Sequence, residues 1–224
     1  MSVLTEGFTA GHFLASEAPG LRSRDVVTLP NAGGAAVTFA AGLVLAKNTI
    51  GAATVAAKSG GNAANTGALT LDGTTPTLAG AQVGVYTVRC ITATSNSGTF
   101  RVTAPDGSVL GDVVVAATFA NQVKFSIADG SQDFIVGEGF DITVAAGNGQ
   151  YVAFTNATNL PAVGVLWDAV TVPAESTAPG VAIVRDAEVV GVRLQYDSTL
   201  SGGTLTTAKA AARVSLAAAG IIVR

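Results

Sequence analysis

The chain has 224 residues, 49% of them hydrophobic and only 12% charged, with 27 glycines and a single cysteine. Its net charge is −3 and its pI near 5.0, and its 12 Lys and Arg residues are scattered along the sequence, which excludes the basic footprint of a direct nucleic-acid binder. Nowhere do apolar residues run long enough to cross a bilayer, since the Ala-rich C-terminal stretch carries Lys209 and Arg213, so no membrane partner is expected.

The opening Met1 to Gly7 lacks a basic stretch followed by an apolar core, which reads as a chain made in a cytoplasm. Residues 1–25 are punctuated by Gly7, Gly11, Pro19 and Gly20, and Phe8, Phe13 and Leu14 follow neither a period of 2 nor of 3.6; this predicts a flexible N-terminal arm. Short extended segments follow over 25–29, 36–39 and 43–47, bounded by Pro30-Asn31 and Gly33-Gly34, as in a small barrel or open sheet. Residues 51–66 then turn to Gly, Ala, Asn and Ser, the composition of a flexible connection, and a domain boundary is placed there.

The middle of the chain carries the clearest strand signals. Val123, Phe125 and Ile127 alternate with polar or small residues, as do Phe140, Ile142 and Val144, so each set lines one face of a half-buried strand. Strands are predicted over 83–93, 99–103, 109–116, 123–128 and 140–146, separated by Pro105-Asp106-Gly107, Asp129-Gly130 and Gly137-Glu138-Gly139; short strands with such turns make an antiparallel β-sandwich. Cys90 lies within one of these strands and reads as a buried thiol.

After Gly147-Asn148-Gly149 the pattern of the first segment resumes, with extended runs over 163–172, 181–185 and 189–195. One helix is predicted, capped by Thr206 or Thr207, running over 208–219 and stopped by Gly220. Its face of Ala208, Ala212, Ser215, Leu216 and Ala219 is narrow and small, suited to close packing. The fold class is therefore mainly β: a small β-rich domain with one C-terminal helix, formed by 1–51 and 150–224, interrupted by a β-sandwich over 52–149.

Little in this sequence supports catalysis or a cofactor. His12 is the lone histidine and sits in the arm, a poor base for any Ser-His-Asp arrangement. Asp129, Asp133, Glu138 and Asp141 do not follow a calcium-loop spacing and read as turn and strand-edge carboxylates. Gly60-Gly61 and Gly202-Gly203 lack the Lys-Ser/Thr sequel of a phosphate loop. Trp167 reads first as a core anchor and second as an intersubunit residue. No catalytic, cofactor or metal residue is assigned, and an enzyme reading would require an unforeseen metal site.

Several fragments together resemble the lambda-type bacteriophage head decoration protein family: Phe13-Leu14, then Ser16-Glu17-Ala18-Pro19-Gly20 and Ser23-Arg24-Asp25, the run Gly42 to Lys47, the run Val181 to Ala187, and the closing Leu216-x-x-x-Gly220-Ile221-Ile222-Val223. The resemblance covers the two ends and leaves 52–149 aside, which is more loosely similar to β-sandwich modules of other phage surface and tail proteins. It implies a structural virion protein: a homotrimer on the outer surface of the expanded capsid, bound to the major capsid protein and cementing it against internal DNA pressure. Its arm, here Ser2 to Leu21, would add a strand to capsid elements.

On that resemblance the candidate capsid contacts are Val3, Leu4, Phe8, Phe13, Leu14, Arg22 and Arg24, and the candidate trimer contacts are Trp167, Ile183 and Leu216. Charges on Arg22 and Arg24 read by default as solvated turn charges. Residues 52–149 would project outward as a module of their own. The alternative is a virion-surface adhesin whose β-sandwich binds a host glycan or protein, to be signalled by an exposed aromatic at its tip, around Tyr86, Phe119 or Phe134.

Overall fold

A computed structural model describes residues 8–62, 65–156 and 160–224. The first part of the chain forms β1 (Leu14–Glu17), the one-turn helix α1 (Gly20–Ser23), β2 (Arg24–Asn31), β3 (Val37–Phe39) and β4 (Val44–Lys47). The middle forms β5 (Ile50–Ala57), β6 (Ala68–Leu71), β7 (Gly84–Thr94), β8 (Ser97–Thr103), β9 (Val109–Val114), β10 (Thr118–Asn121), β11 (Val123–Ala128) and β12 (Gly139–Ala146). The last part forms β13 (Tyr151–Ala153), β14 (Ala162–Leu166), β15 (Val170–Val172), β16 (Ser176–Ile183), β17 (Ala187–Val189), a 3₁₀ turn at Gly191–Arg193, α2 (Gly202–Ala218) and β18 (Ile221–Val223). Contacts divide the chain into two compact units, residues 1–48 with 149–224, and residues 49–148.

In the first unit β4 explains the architecture. Its run Val44-Leu45-Ala46 is buried throughout, which an extended strand achieves only when both of its faces are covered, because successive side chains point to opposite sides. Val44 and Ala46 join Phe13, Phe154, Val165 and Ile183 in one core, while Leu43 and Leu45 join Val27, Leu29, Leu166 and Val172 in another. The strand sits inside a five-stranded antiparallel sheet of order β13-β4-β14-β16-β2. Residues of α2 and of the small sheet β1-β17-β18 contribute to the first core, and residues of the β3-β15 pair to the second.

Helix α2 begins earlier than its sequence predicts. Thr204 Oγ1 accepts the Ser201 N–H at 3.2 Å and donates to the Ser201 carbonyl at 2.7 Å, so the start is fixed at Ser201. Thr206 and Thr207 instead bond back to the carbonyls of Gly202 and Gly203 at 3.2 and 3.0 Å, as hydroxyls do inside a helix. The end at Gly220 is as predicted, and the small face is used: Ala208, Ala212 and Leu216, spaced by four, are fully buried.

The second unit is built from a five-stranded antiparallel sheet, β5-β12-β7-β8-β9, and a three-stranded one, β10-β11-β6. The predicted alternation is what fills its core: Val123, Phe125, Ile127, Phe140, Ile142 and Val144 are all buried, with Tyr86, Val88, Phe100 and Phe134. Cys90 is a buried free thiol whose ionisation burial pushes up. Gly139 permits the closest approach in the sheet. Its φ is +155° and an added Cβ would lie 1.9 Å from the Val88 carbonyl oxygen.

The tract 51–66, expected to be a connection, is strand through Ala57. Gly51 to Ala57 have no side-chain period to betray them, yet their backbone pairs with β12 from Ala57↔Phe140 to Ala53↔Val144. The four-residue strands β6 and β10 are likewise too short to announce themselves. The chain leaves and re-enters the first unit at adjacent points: Gly149 N–H donates to the Asn48 carbonyl at 2.9 Å, and Asn48 N–H to that of Gln150 at 2.8 Å.

Candidate functional site

Residues 1–7, with the candidate contacts Val3 and Leu4, lie outside the described residues. From there inward the expected irregular arm is part of the fold. Gly11 N–H donates to the Trp167 carbonyl at 2.9 Å, and at φ +67° a Cβ on Gly11 would fall 2.2 Å from the Trp167 ring. Only glycine allows this approach. Phe13 is fully buried, its ring edge-on to Trp167 at 6.3 Å between centroids, and β1 then pairs antiparallel with β17. The short runs between Gly11 and Pro19 hid this because one anchor and four strand residues make no periodic pattern.

His12 sits beside this anchor. Its Nδ1 lies 2.9 Å from the Thr9 carbonyl and its Nε2 3.1 Å from that of Arg193, while Arg193 Nη1 donates to the His12 carbonyl at 2.8 Å. Phe8, half exposed, stacks obliquely on the imidazole at 4.6 Å. These contacts hold the chain from Phe8 to Phe13 against the 191–195 loop, and no hydroxyl or thiol nucleophile faces the ring among these contacts.

Among the described residues, the Arg, Asp and Glu side chains of the segment are paired within the chain. Arg24 donates to the Glu17 carboxylate and lays its guanidinium 3.5 Å from the centroid of a Trp167 ring, a cation–π contact. The Arg24 hydrogen bond holds the Glu17 carboxyl below its ordinary value, against a smaller opposing effect of burial, with help from Ser23 Oγ at 2.5 Å. Arg22 pairs with Asp186 at 2.8 Å, Arg185 with Asp25, and Arg224 with Glu188. Arg24 is thus engaged between β2 and β1, whereas Arg22 is paired with Asp186 but keeps 70% of its side chain exposed, so the reading of a solvated turn charge stands for it.

A carboxyl whose folded value is depressed stabilises the fold above its unfolded titration, and that stability is lost as pH falls through the folded value. Glu17→Gln is therefore expected to cost about 1–3 kcal/mol near neutrality, and the difference from the wild type is expected to vanish on acidification below the ordinary Glu range. Thermal denaturation of both proteins across pH checks it; a difference that is constant with pH would show that the carboxylate is not the stabilising form.

Beside its exposed polar residues, the segment also leaves apolar side chains exposed. Leu21, at the one-turn helix α1, is fully exposed; Val26 is exposed on the edge strand β2 and pairs with the exposed Val181 of β16. Sequence reasoning passed over these three, and a single apolar residue within a charged turn gives no signal of its own. Of the candidate trimer contacts, Ile183 and Leu216 are fully buried in the unit's own core and offer no side-chain surface, because β16 turns Ile183 inward and α2 turns Leu216 toward β14 and β18. Trp167 stays partly exposed.

In the second unit the aromatic residues expected at an exposed tip are core residues. Tyr86 is buried, accepting the Gln82 N–H at 2.7 Å and donating to Gln122 Oε1 at 2.9 Å; Phe119 stacks on Phe125 at 5.2 Å and Phe134 meets Phe100 edge-on at 4.8 Å. The acidic residues are dispersed: Asp141 pairs with Arg89, Asp133 accepts the Asn96 N–H, and buried Glu138 accepts from Asn65 and Ile135. Among the described residues no three His, Cys, Asp or Glu side chains are grouped to hold a metal.

A family model described as bacteriophage lambda head decoration protein D matches residues 3–221. The chain belongs to that family. The matched range runs from the N-terminal segment through both units to β18, including the 52–149 stretch that the resemblance had left aside. Membership makes this head decoration protein a structural, capsid-associated component of a phage virion. No curated protein sequence matches it. A crystal structure of Xanthomonas campestris FlgL matches with 17% identity and a TM-score of 0.30 over 48% of this chain and 34% of that one, so the chain spans about a third of that structure.

Proposed function

We propose that this decoration protein binds the outer surface of the expanded capsid as a homotrimer, contacting the major capsid protein and stabilising the shell against internal DNA pressure. The family match over residues 3–221 carries the reading. The contacts that hold Phe8 to Phe13 support a particular division of labour, because they engage that part of the N-terminal segment within the fold. In this reading residues 2–7 add an extended segment to capsid elements through backbone hydrogen bonds, and Leu21 and Val26 supply exposed apolar contact. Three arms on one trimer act at high effective concentration. The 49–148 unit is a module that capsid binding does not need. A host-binding role for that unit gains nothing from Tyr86, Phe119 or Phe134, which are core residues.

The test mixes purified protein with expanded, undecorated capsids and compares the full chain, a chain lacking residues 2–7, and one in which Asn48 is joined directly to Gly149. Loss of 2–7 is expected to weaken binding by roughly 10²-fold or more, the scale of lost avidity, and loss of 49–148 to leave it unchanged. Equal binding with and without 2–7 overturns the arm, and absence of binding by the full chain overturns capsid decoration itself.

A further inference from the structure

The β10-β11-β6 sheet has one face in the core of its unit. Leu69, Phe119, Val123, Phe125 and Ile127 are buried there, so their neighbours along each strand point the other way. Directly opposed residues of an antiparallel pair share a face, and the register sets Thr118 opposite Ser126 and Ser126 opposite Thr70. Three hydroxyls therefore stand in one row across three strands, at the strand spacing of about 4.8 Å. Among the described residues none of the three has a hydrogen-bond partner.

The adjoining row is built differently. Lys124 shares the face of Ser126 and lies opposite Ala120 on β10. On its other side the chain leaves the ladder over residues 73–75. Asp72 N–H donates to the Lys124 carbonyl at 2.9 Å, and Lys124 N–H donates to the Pro76 carbonyl at 2.9 Å, so the two backbone groups of one residue bracket the excursion. Asp72 sets its shape. Oδ1 accepts the Thr74 and Thr75 N–H groups at 3.0 and 2.7 Å and the Thr75 hydroxyl at 3.2 Å, while Oδ2 meets Lys124 Nζ at 2.8 Å. The Lys124 hydrogen bond, followed by those of the Thr75 and Thr74 amides, holds the Asp72 carboxyl well below the ordinary Asp range. Lys124 spends one of its three N–H groups on this pair. Both rows line a depression of about 110 Å³, to which Leu71 and Phe125 also contribute.

We infer that this depression is a binding site for a neutral sugar, taken as one hexose residue of a glycan. Charge selects the class. Asp72 neutralises Lys124, so neither an anion nor a cation finds a net opposite charge. What the site offers is hydrogen bonding of both kinds: three hydroxyls that donate and accept, two ammonium N–H groups, and the remaining lone pair of Asp72 Oδ2. The ligand that matches is uncharged and dense in hydroxyls. Volume sets the size, because about 110 Å³ falls well short of the ~300 Å³ at which drug-sized pockets begin, leaving room for one ring. The three donors on Asp72 Oδ1 fix the carboxylate before any ligand arrives, which lowers the ordering cost of binding.

The experiment titrates the isotope-labelled full chain with the methyl glycosides of glucose, galactose and mannose, and separately with inorganic phosphate, reading backbone amide signals. At least one glycoside is expected to shift the signals of Thr70, Thr118, Lys124 and Ser126 saturably, and phosphate to shift none of them. The double variant Thr70→Val with Thr118→Val removes two hydroxyls and keeps two β-branched side chains suited to a strand. It is expected to keep the wild-type melting temperature and to bind at least about tenfold more weakly. Absence of a saturable shift with all three glycosides overturns the site, as does equal affinity of the double variant. Phosphate binding at these residues overturns the neutral class. Binding of a free hexose but not of its methyl glycoside overturns the glycan and assigns a free sugar. Capsid decoration is untouched by any of these results.

Discussion

Gly139→Ala is expected to unfold the 49–148 unit while the other unit stays folded. The added Cβ would stand 1.9 Å from the Val88 carbonyl oxygen and 2.9 Å from its carbonyl carbon. Both are backbone atoms of β7, whose neighbours Tyr86, Val88 and Cys90 are buried, so nothing nearby is a flexible side-chain end that can swing aside. The φ of +155° adds a backbone cost for any residue with a side chain. A loss above about 4 kcal/mol is expected, the range reserved for changes that a fold cannot absorb. Calorimetry should show the transition of this unit lost and that of the other retained, and capsid binding should persist under the proposed division of labour. A variant within about 1 kcal/mol of wild type would mean that β7 and β12 separate more readily than their packing indicates.

Phe13→Ala is expected to do the reverse. Phe13 is fully buried among Val44, Phe154, Val165, Val189 and Leu216, and its carbonyl accepts the Val190 N–H at 2.8 Å. Truncating a buried phenylalanine costs about 3–5 kcal/mol through lost transfer energy and the cavity left behind. The residue also ties the turn at Gly11 and His12 to the core. The first unit's melting transition should fall, capsid binding should be lost, and the 49–148 transition should be unchanged. Phe13→Leu should recover most of the stability, because it refills much of the volume. A loss under about 1 kcal/mol for Phe13→Ala, well below the usual cost of such a truncation, would show that the ring does not anchor the segment.

The parts of this fold that were legible from sequence are those where side chains repeat. β11 and β12 announced themselves through Val123, Phe125, Ile127 and Phe140, Ile142, Val144, each an inward residue flanked by outward ones. The end of α2 was marked by Gly220 and its buried face by small residues spaced by four. The start of α2 was misplaced because Thr206 and Thr207 are equally good caps in isolation, and only the Thr204 hydroxyl meeting both backbone groups of Ser201 selects the position five residues before. The candidate site is less legible in the sequence. Arg22, Arg24 and Asp25 were recognisable as a charged cluster, but their partners Asp186, Glu17 and Arg185 include residues some 160 positions away, and no local rule pairs charges over that distance.

Sequence was enough to set the class: a β-rich chain with a C-terminal helix, and with ends whose fragments in order point to the head decoration family. Composition, period and turn chemistry are local properties, and those suffice for that much. Which apolar residues are buried was settled only by packing. Ile183, Leu216, Tyr86, Phe119 and Phe134 turn inward, while Leu21, Val26 and Val181 turn out, since the face a side chain takes depends on what covers each side of its strand. Packing also makes Ile50–Ala57 a strand, held by backbone bonds to β12 that its small side chains could not disclose.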